Sequence, residues 1–273
     1  MKKTIKRFVP SMLVLLELAV VCGCSSHSKT TQSGTTLRLH PEQGKTYAIS
    51  SKASILQMID FQGQTANVNQ TTEFNQSFSV KNVTDEQSDY EAQVESVKLS
   101  ISQGGMILEY DSEHPEKANP MLASQTKEFD KIIKKPATLS YNAFGEMVSE
   151  KEDLSLNSLG NAIIKLPKED ICVGSSWQNT GTASASDMEF SVEYTYTVTA
   201  ISKKSIDVKF TGTILKNASN ISGNYNGTAS FNPNTGIIMS SNTKSNVSLT
   251  VSQQGMTLPM TMAGTTIVTV TEK

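Results

Sequence analysis

An antiparallel β fold is what this sequence predicts: a meander of long strands forming a curved sheet, half-barrel or barrel, with one capping α-helix. Three observations carry that expectation. Apolar and polar residues alternate with a period of two over as many as 16 consecutive positions, the alternating segments are joined by short Gly-, Asn- and Gln-bearing turns, and a single stretch has helical punctuation. About a dozen strands follow, and sheets built of strands this long coil.

The ordered part is expected to begin near Leu37, and Gly44-Lys45-Thr46-Tyr47 opens its first strand. From Tyr47 the odd positions Ile49, Ala53, Ile55, Ile59 and Phe61 face one way, and Gln62-Gly63-Gln64 turns the chain. On the return, Ala66, Val68, Thr72, Phe74, Phe78 and Val80 share one face; a helix would scatter them around its circumference. After Thr84–Ser88, the apolar set runs on even positions through Tyr90, Ala92 and Val94 but on odd positions at Val97, Leu99 and Ile101. That phase change needs one extra residue, so a β-bulge is predicted near Glu95-Ser96. Gln103-Gly104-Gly105 makes the next hairpin, with Met106, Leu108 and Tyr110 returning.

Asn119-Pro120 reads as a helix start, because asparagine offers a capping acceptor and proline lacks only an N–H that would be unpaired there anyway. Leu122, Phe129, Ile132 and Ile133 supply its apolar face, and Pro136 stops it. A short hairpin follows around Phe144-Gly145, then a looser stretch, 154–166, with a second short helix expected. Ile171–Trp177 opens the second half; Phe190–Val198, Ile206–Ile214, Tyr225–Phe231, Ile237–Val251 and Met256–Val270 carry its strands. Val97–Leu108 and Val247–Leu258 match at seven of twelve positions. Segments 37–166 and 167–273 are therefore either two related halves of one β-rich domain or share only their hairpin chemistry.

Residues 1–23 read as a lipoprotein signal peptide. Lys2, Lys3, Lys6 and Arg7 form a cationic start, and the apolar run 8–21 is shorter than the roughly 20 residues that span a bilayer. Gly23 before Cys24 suits a lipoprotein peptidase, which makes Cys24 the acylated residue, and 24–36 is a Ser/Thr-rich flexible tether. Each buried acyl methylene contributes about 0.8 kcal/mol, so the membrane is the first expected partner, through N-terminal acyl chains. Ser25-Ser26 after the cysteine, in place of an aspartate, points to the outer membrane, and the lack of an acidic cluster following Cys24 to an orientation facing the periplasm.

Without residues 1–23 the chain keeps 20 basic against 25 acidic groups, which is no basic footprint for nucleic acid. Cys172 then stands apart from Cys24 and is expected as a small buried apolar side chain rather than a nucleophile. The histidines, His27, His40 and His114, lie in loop-like segments, so no catalytic triad, metal or cofactor is expected, and the reading is of a non-enzyme. Glu109, Asp111 and Glu113 share one strand face and read as a solvated strand end before an acid pair. Met256, Leu258, Met260 and Met262, with Met106 and Leu108 on the matching hairpin, are the candidate ligand-binding residues. Methionine adapts its shape and suits a groove for an acyl chain, with plain core filling as the alternative.

The order Gly44-Lys45-Thr46-Tyr47, Tyr110-Asp111-Ser112, Asn119-Pro120-Met121 and Val173-Gly174-Ser175-Ser176-Trp177 resembles a family of uncharacterised lipoproteins of Gram-negative bacteria. The likeness runs over nearly all of 40–270. It implies an all-β fold with Gly-x-x-Tyr/Trp strand openings, and since that family has no assigned activity it transfers no catalytic residue. The functional expectation is a lipid-anchored envelope protein that binds a hydrophobic ligand such as an acyl chain; a structural or accessory module of an outer-membrane protein complex is the alternative.

Overall fold

The structure is a computed structural model that describes residues 34–61, 64–151, 163–185, 188–215, 220–253 and 256–273. The signal segment, Cys24 and most of the tether lie outside the described residues, as does most of the stretch expected to hold a second helix. Ser33–Lys273 forms one compact unit. Its strands are β1 (Thr46–Phe61), β2 (Gln64–Val83), β3 (Gln87–Gln103), β4 (Met106–Asp111), β5 (Pro136–Asn142), β6 (Met147–Lys151), β7 (Ser176–Ala185), β8 (Met188–Ile201), β9 (Ile206–Ile214), β10 (Ile221–Phe231), β11 (Ile238–Gln253) and β12 (Met256–Glu272).

All twelve belong to one antiparallel sheet, which is not closed. The order is β6-β5-β3-β2-β1-β12-β11-β10-β9-β8-β7, and β4 pairs with the far end of β3, beyond β5. The barrel alternative is therefore set aside: β6 and β7 are edges, and nothing in the sheet pairs them. Strand β12 lies between β1 and β11, so the two ends of the meander meet in the middle of the sheet.

Alternation sorts the side chains into an inner and an outer face. The predicted bulge is present: Asn75 pairs with Ser96 and Gln76 with Val94, which leaves Glu95 as the extra residue. It lets Tyr90, Ala92 and Val94 and then Val97 and Leu99 all be buried. Gly104 and Gly105, with φ of 58° and 82°, make the β3–β4 turn, a pair of left-handed residues whose twist matches the strands they join.

The inner face holds three apolar clusters. The largest draws Tyr47, Phe78 and Tyr90 from one wing of the sheet and Tyr196, Val208 and Phe231 from the other, together with Leu37, Leu39 and Leu166. These last three sit on two irregular straps, 34–40 and 163–171. The first bonds from Leu39 N–H to Ala143 O in the β5–β6 turn and from His40 N–H to Thr235 O in the β10–β11 turn. The straps join each other through the Thr35–Ile171 bridge and through Arg38, whose guanidinium donates to Pro167 O (2.8 Å) and Lys168 O (2.5 Å). Arg38 also stands over the Phe144 ring at 4.7 Å, so one side chain ties strap to strap and strap to hairpin.

The helix is shorter than its apolar pattern suggested. Asn119 accepts from Met121 N–H (3.0 Å), but the turn it caps is 3-10, Pro120–Leu122, and α1 runs only Ala123–Asp130. Leu122, Phe129 and Ile132 pack on Phe74, Val97, Leu99 and Tyr110, covering the inner face of one wing.

Candidate ligand-binding faces

The expected methionine stripe divides in two. Met260, buried, and Met262, half-buried, join Phe190, Val192, Ile214, Val247 and Leu249 in an apolar cluster on the β8–β12 wing. Leu258, on the same strand, is half-buried. Leu108 packs at the edge of the α1 cluster on the other wing, and Met106 is 52% exposed at its hairpin. The Met256 side chain lies outside the described residues. Strands β3, β2 and β1 separate β4 from β12, so these residues form two banks at the end of the sheet where the β3–β4 and β11–β12 turns lie, not one stripe.

Between the banks Ile55 and Ile59 on β1 and Val68 on β2 share the inward face with Gln57, Gln70 and Thr72. Gln70 donates to Thr72 Oγ1 (3.2 Å), and Gln57 faces the same way from β1. Further down β2, Gln76 is 3% exposed, and neither its amide nitrogen nor its amide oxygen has a hydrogen-bond partner among the described residues. This position was passed over in the sequence, although the alternation puts it on the apolar face between Phe74 and Phe78.

A second feature went unread. Strand glycines on the β7–β10 wing lie beneath aromatic rings: a Cβ on Gly181 would sit 3.3 Å from Tyr194, and one on Gly227 would sit 2.6 Å from Phe210. Tyr194 meets Phe210, Tyr196 and Tyr225 at ring-centroid distances of 5.9–6.2 Å, and Trp177 stacks on Tyr196 at 5.2 Å. Burial pushes the Tyr194 phenol up to about 12, with the neighbouring Tyr225 adding to it.

The residues weighed for chemistry are dispersed. Cys172 is exposed, a correction to its expected burial: it sits in the turn before β7, where its N–H donates to Ser175 Oγ (2.9 Å), so the hydroxyl holds the turn and the thiol faces outward. His40 lies in a strap and His114 beside Glu116 on a one-turn 3-10 segment. Asp111 pairs with Lys98 at 2.9 Å, which holds its carboxyl below the usual range, with Glu113 N–H as a further donor. Among the described residues, no cluster of three or more His, Cys, Asp or Glu could hold a metal ion.

The open hollows lie outside. A groove of about 460 Å³ crosses β2, β1, β12 and β11, with Ser54, Asn69, Lys244 and Thr265 among its walls. Another, of about 540 Å³, crosses β8 to β11 between Thr195, Lys209, Thr228 and Lys244, and a third of about 410 Å³ crosses β2 to β4 between Thr71, Lys98 and Glu109.

Residues 151–238, under half of the chain, match a family of unknown function (DUF6263). No curated protein sequence matches the chain. Among solved structures it resembles lipovitellin, from a study of its lipid–protein interactions, with a TM-score of 0.50 at 12% identity. That match covers 84% of this chain, which spans only a quarter (25%) of the lipovitellin chain. At this identity the likeness is one of fold. An outer-membrane channel from Pseudomonas putida F1 matches at TM-score 0.21 and 7% identity, covering 90% of this chain and 100% of the channel. The translocator domain of the autotransporter NalP from Neisseria meningitidis matches at 0.23 and 6%, covering 84% and 89%. Scores this low align strands without a common architecture.

Proposed function

We propose that this protein is a lipid-anchored, periplasm-facing protein of the outer membrane that binds a hydrophobic ligand, such as an acyl chain, on the inner face of its sheet and catalyses no reaction. The observation that carries this reading is the pair of apolar banks, Met260 with Met262 on one wing and Leu108 with the α1 cluster on the other, at the end of the sheet away from the straps. The fold likeness to lipovitellin, a protein described for its interactions with lipid, supports it. The anchor rests on Cys24 and the segment before it.

The test is purification from the protein's own membranes in mild detergent, with mass spectrometry of everything retained. A stoichiometric acyl lipid that is lost in Met262→Asp supports the reading; a uniformly ligand-free protein overturns it. Labelling with a radioactive fatty acid, abolished by Cys24→Ser, tests the anchor separately. The second reading, an accessory module of an outer-membrane protein complex, is favoured by the open edge strands β6 and β7, and a stoichiometric protein in the same preparation would support it.

A further inference from the structure

The three outer grooves are one trough. Following the register, Thr195, Thr211, Asn226, Lys244, Thr265 and Ser54 stand directly opposite one another on β8, β9, β10, β11, β12 and β1. Thr71 on β2 and Ser100 on β3 continue the row. Lys244 lines both central grooves and Thr71 joins one of them to the third. At about 4.8 Å between neighbouring strands, this row of eight extends roughly 34 Å and offers a hydroxyl, amide or ammonium on each of these strands.

We propose that the two central grooves of this trough bind a linear acidic polysaccharide; the third, where Glu73, Glu109 and Asp111 stand beside Lys98 and Lys117, lies outside the site. Lys209 and Lys244 are the only charged residues lining the two central grooves, and both are exposed with no ion-pair partner among the described residues, although the chain carries a net negative charge. They flank β10: Lys209 stands opposite Thr228 and Lys244 opposite Asn226, two strand spacings apart across the sheet and two residues apart along it, which is roughly 12 Å. The lysines suit carboxylates, and the hydroxyls and amides suit ring hydroxyls presented at intervals along an extended chain. A protein partner fits less well, since the row has no aromatic residue or arginine to anchor it. Nucleic acid fits less well still, since two lysines are a small cationic footprint and Phe210, the aromatic residue lining the central grooves, is buried and offers no open ring to stack a base.

The test is titration of the full chain in detergent micelles with polygalacturonate, and with neutral dextran and duplex DNA of matched length. Polygalacturonate should bind, weaken as salt is added, and lose at least about tenfold in affinity in the Lys209→Gln, Lys244→Gln double variant. Asn226→Asp, which places a carboxylate between the lysines, should do the same without touching either. Lys127→Gln, on the exposed side of α1, should change nothing. Unchanged thermal midpoints would establish that the variants fold. The proposal is overturned if polygalacturonate does not bind, if the double variant binds it equally well, or if DNA binds as tightly with the same dependence on the two lysines.

Discussion

Tyr194 occupies the space that a side chain on Gly212 would fill. The two residues are direct cross-strand partners on β8 and β9, and a Cβ on Gly212 would sit 2.7 Å from the Tyr194 ring and 3.1 Å from Tyr225 Cβ. Glycine weakens a strand by itself, and here the loss is offset by the ring that covers it. Gly212→Ala should destabilise the fold by about 1–3 kcal/mol, because the ring cannot retreat without disturbing Phe210 and Tyr225. The same change made in a Tyr194→Ala background should cost clearly less, and equal costs in a denaturant double-mutant cycle would show that the two residues are not coupled.

Gln76→Leu should raise stability by about 1–2 kcal/mol. The buried amide forgoes its bonds to water and gains none in return, whereas leucine at 3% exposure between Ile49 and Val94 gives up nothing. A lower denaturation midpoint would show that the amide is satisfied in solution.

Alkali should unfold the protein in step with its tyrosines. Burial, with Asp130 nearby, pushes the Tyr110 phenol up to about 12, matching Tyr194, and burial raises Tyr90 and Tyr196 as well. An unfolded tyrosine ionises near 10, so the unfolded state loses these protons first. Stability is then full below about pH 10 and is lost as the pH climbs from about 10 to about 12. Tyrosinate absorbance and β-sheet circular dichroism should change together; phenols that all ionise near 10 with the sheet intact would contradict this.

Arg38→Ala should loosen the straps while leaving the sheet in place. It removes charge-assisted bonds to Pro167 O and Lys168 O and the contact with Phe144, a loss of about 2–3 kcal/mol. Arg38→Lys should recover little, since an ammonium cannot fork between carbonyls. Hydrogen exchange at Leu39 and His40, whose N–H groups bond to the two hairpin turns, would rise if the strap opens.

Strand identity was legible in the sequence because alternation is a local signal. The jump from Val94 to Val97 betrayed the bulge at Glu95 for the same reason: a change of phase is written in neighbouring residues. Pairing is not local. Nothing in the composition of β12 announces that it lies against β1, and so the order of the sheet, its open edges and the outer row from Thr195 to Ser54 were out of reach. Methionines spaced for one stripe parted because Leu108 and Met260 belong to strands that three others separate. Cys172 was misjudged because burial was taken from the general habit of free cysteines, when Ser175 holds the turn in a way that leaves the thiol outside.

The place of β12 sets a timetable. Until residues 256–272 have been delivered, the sheet is two unfinished pieces, one ending in β1 and the other in β11, each presenting a bare strand of 16 residues to whatever is near. Long unpaired strands are where nascent chains meet and aggregate. A chain cut short before Met256 therefore leaves β1 and β11 bare together, whereas the complete chain covers both with one strand.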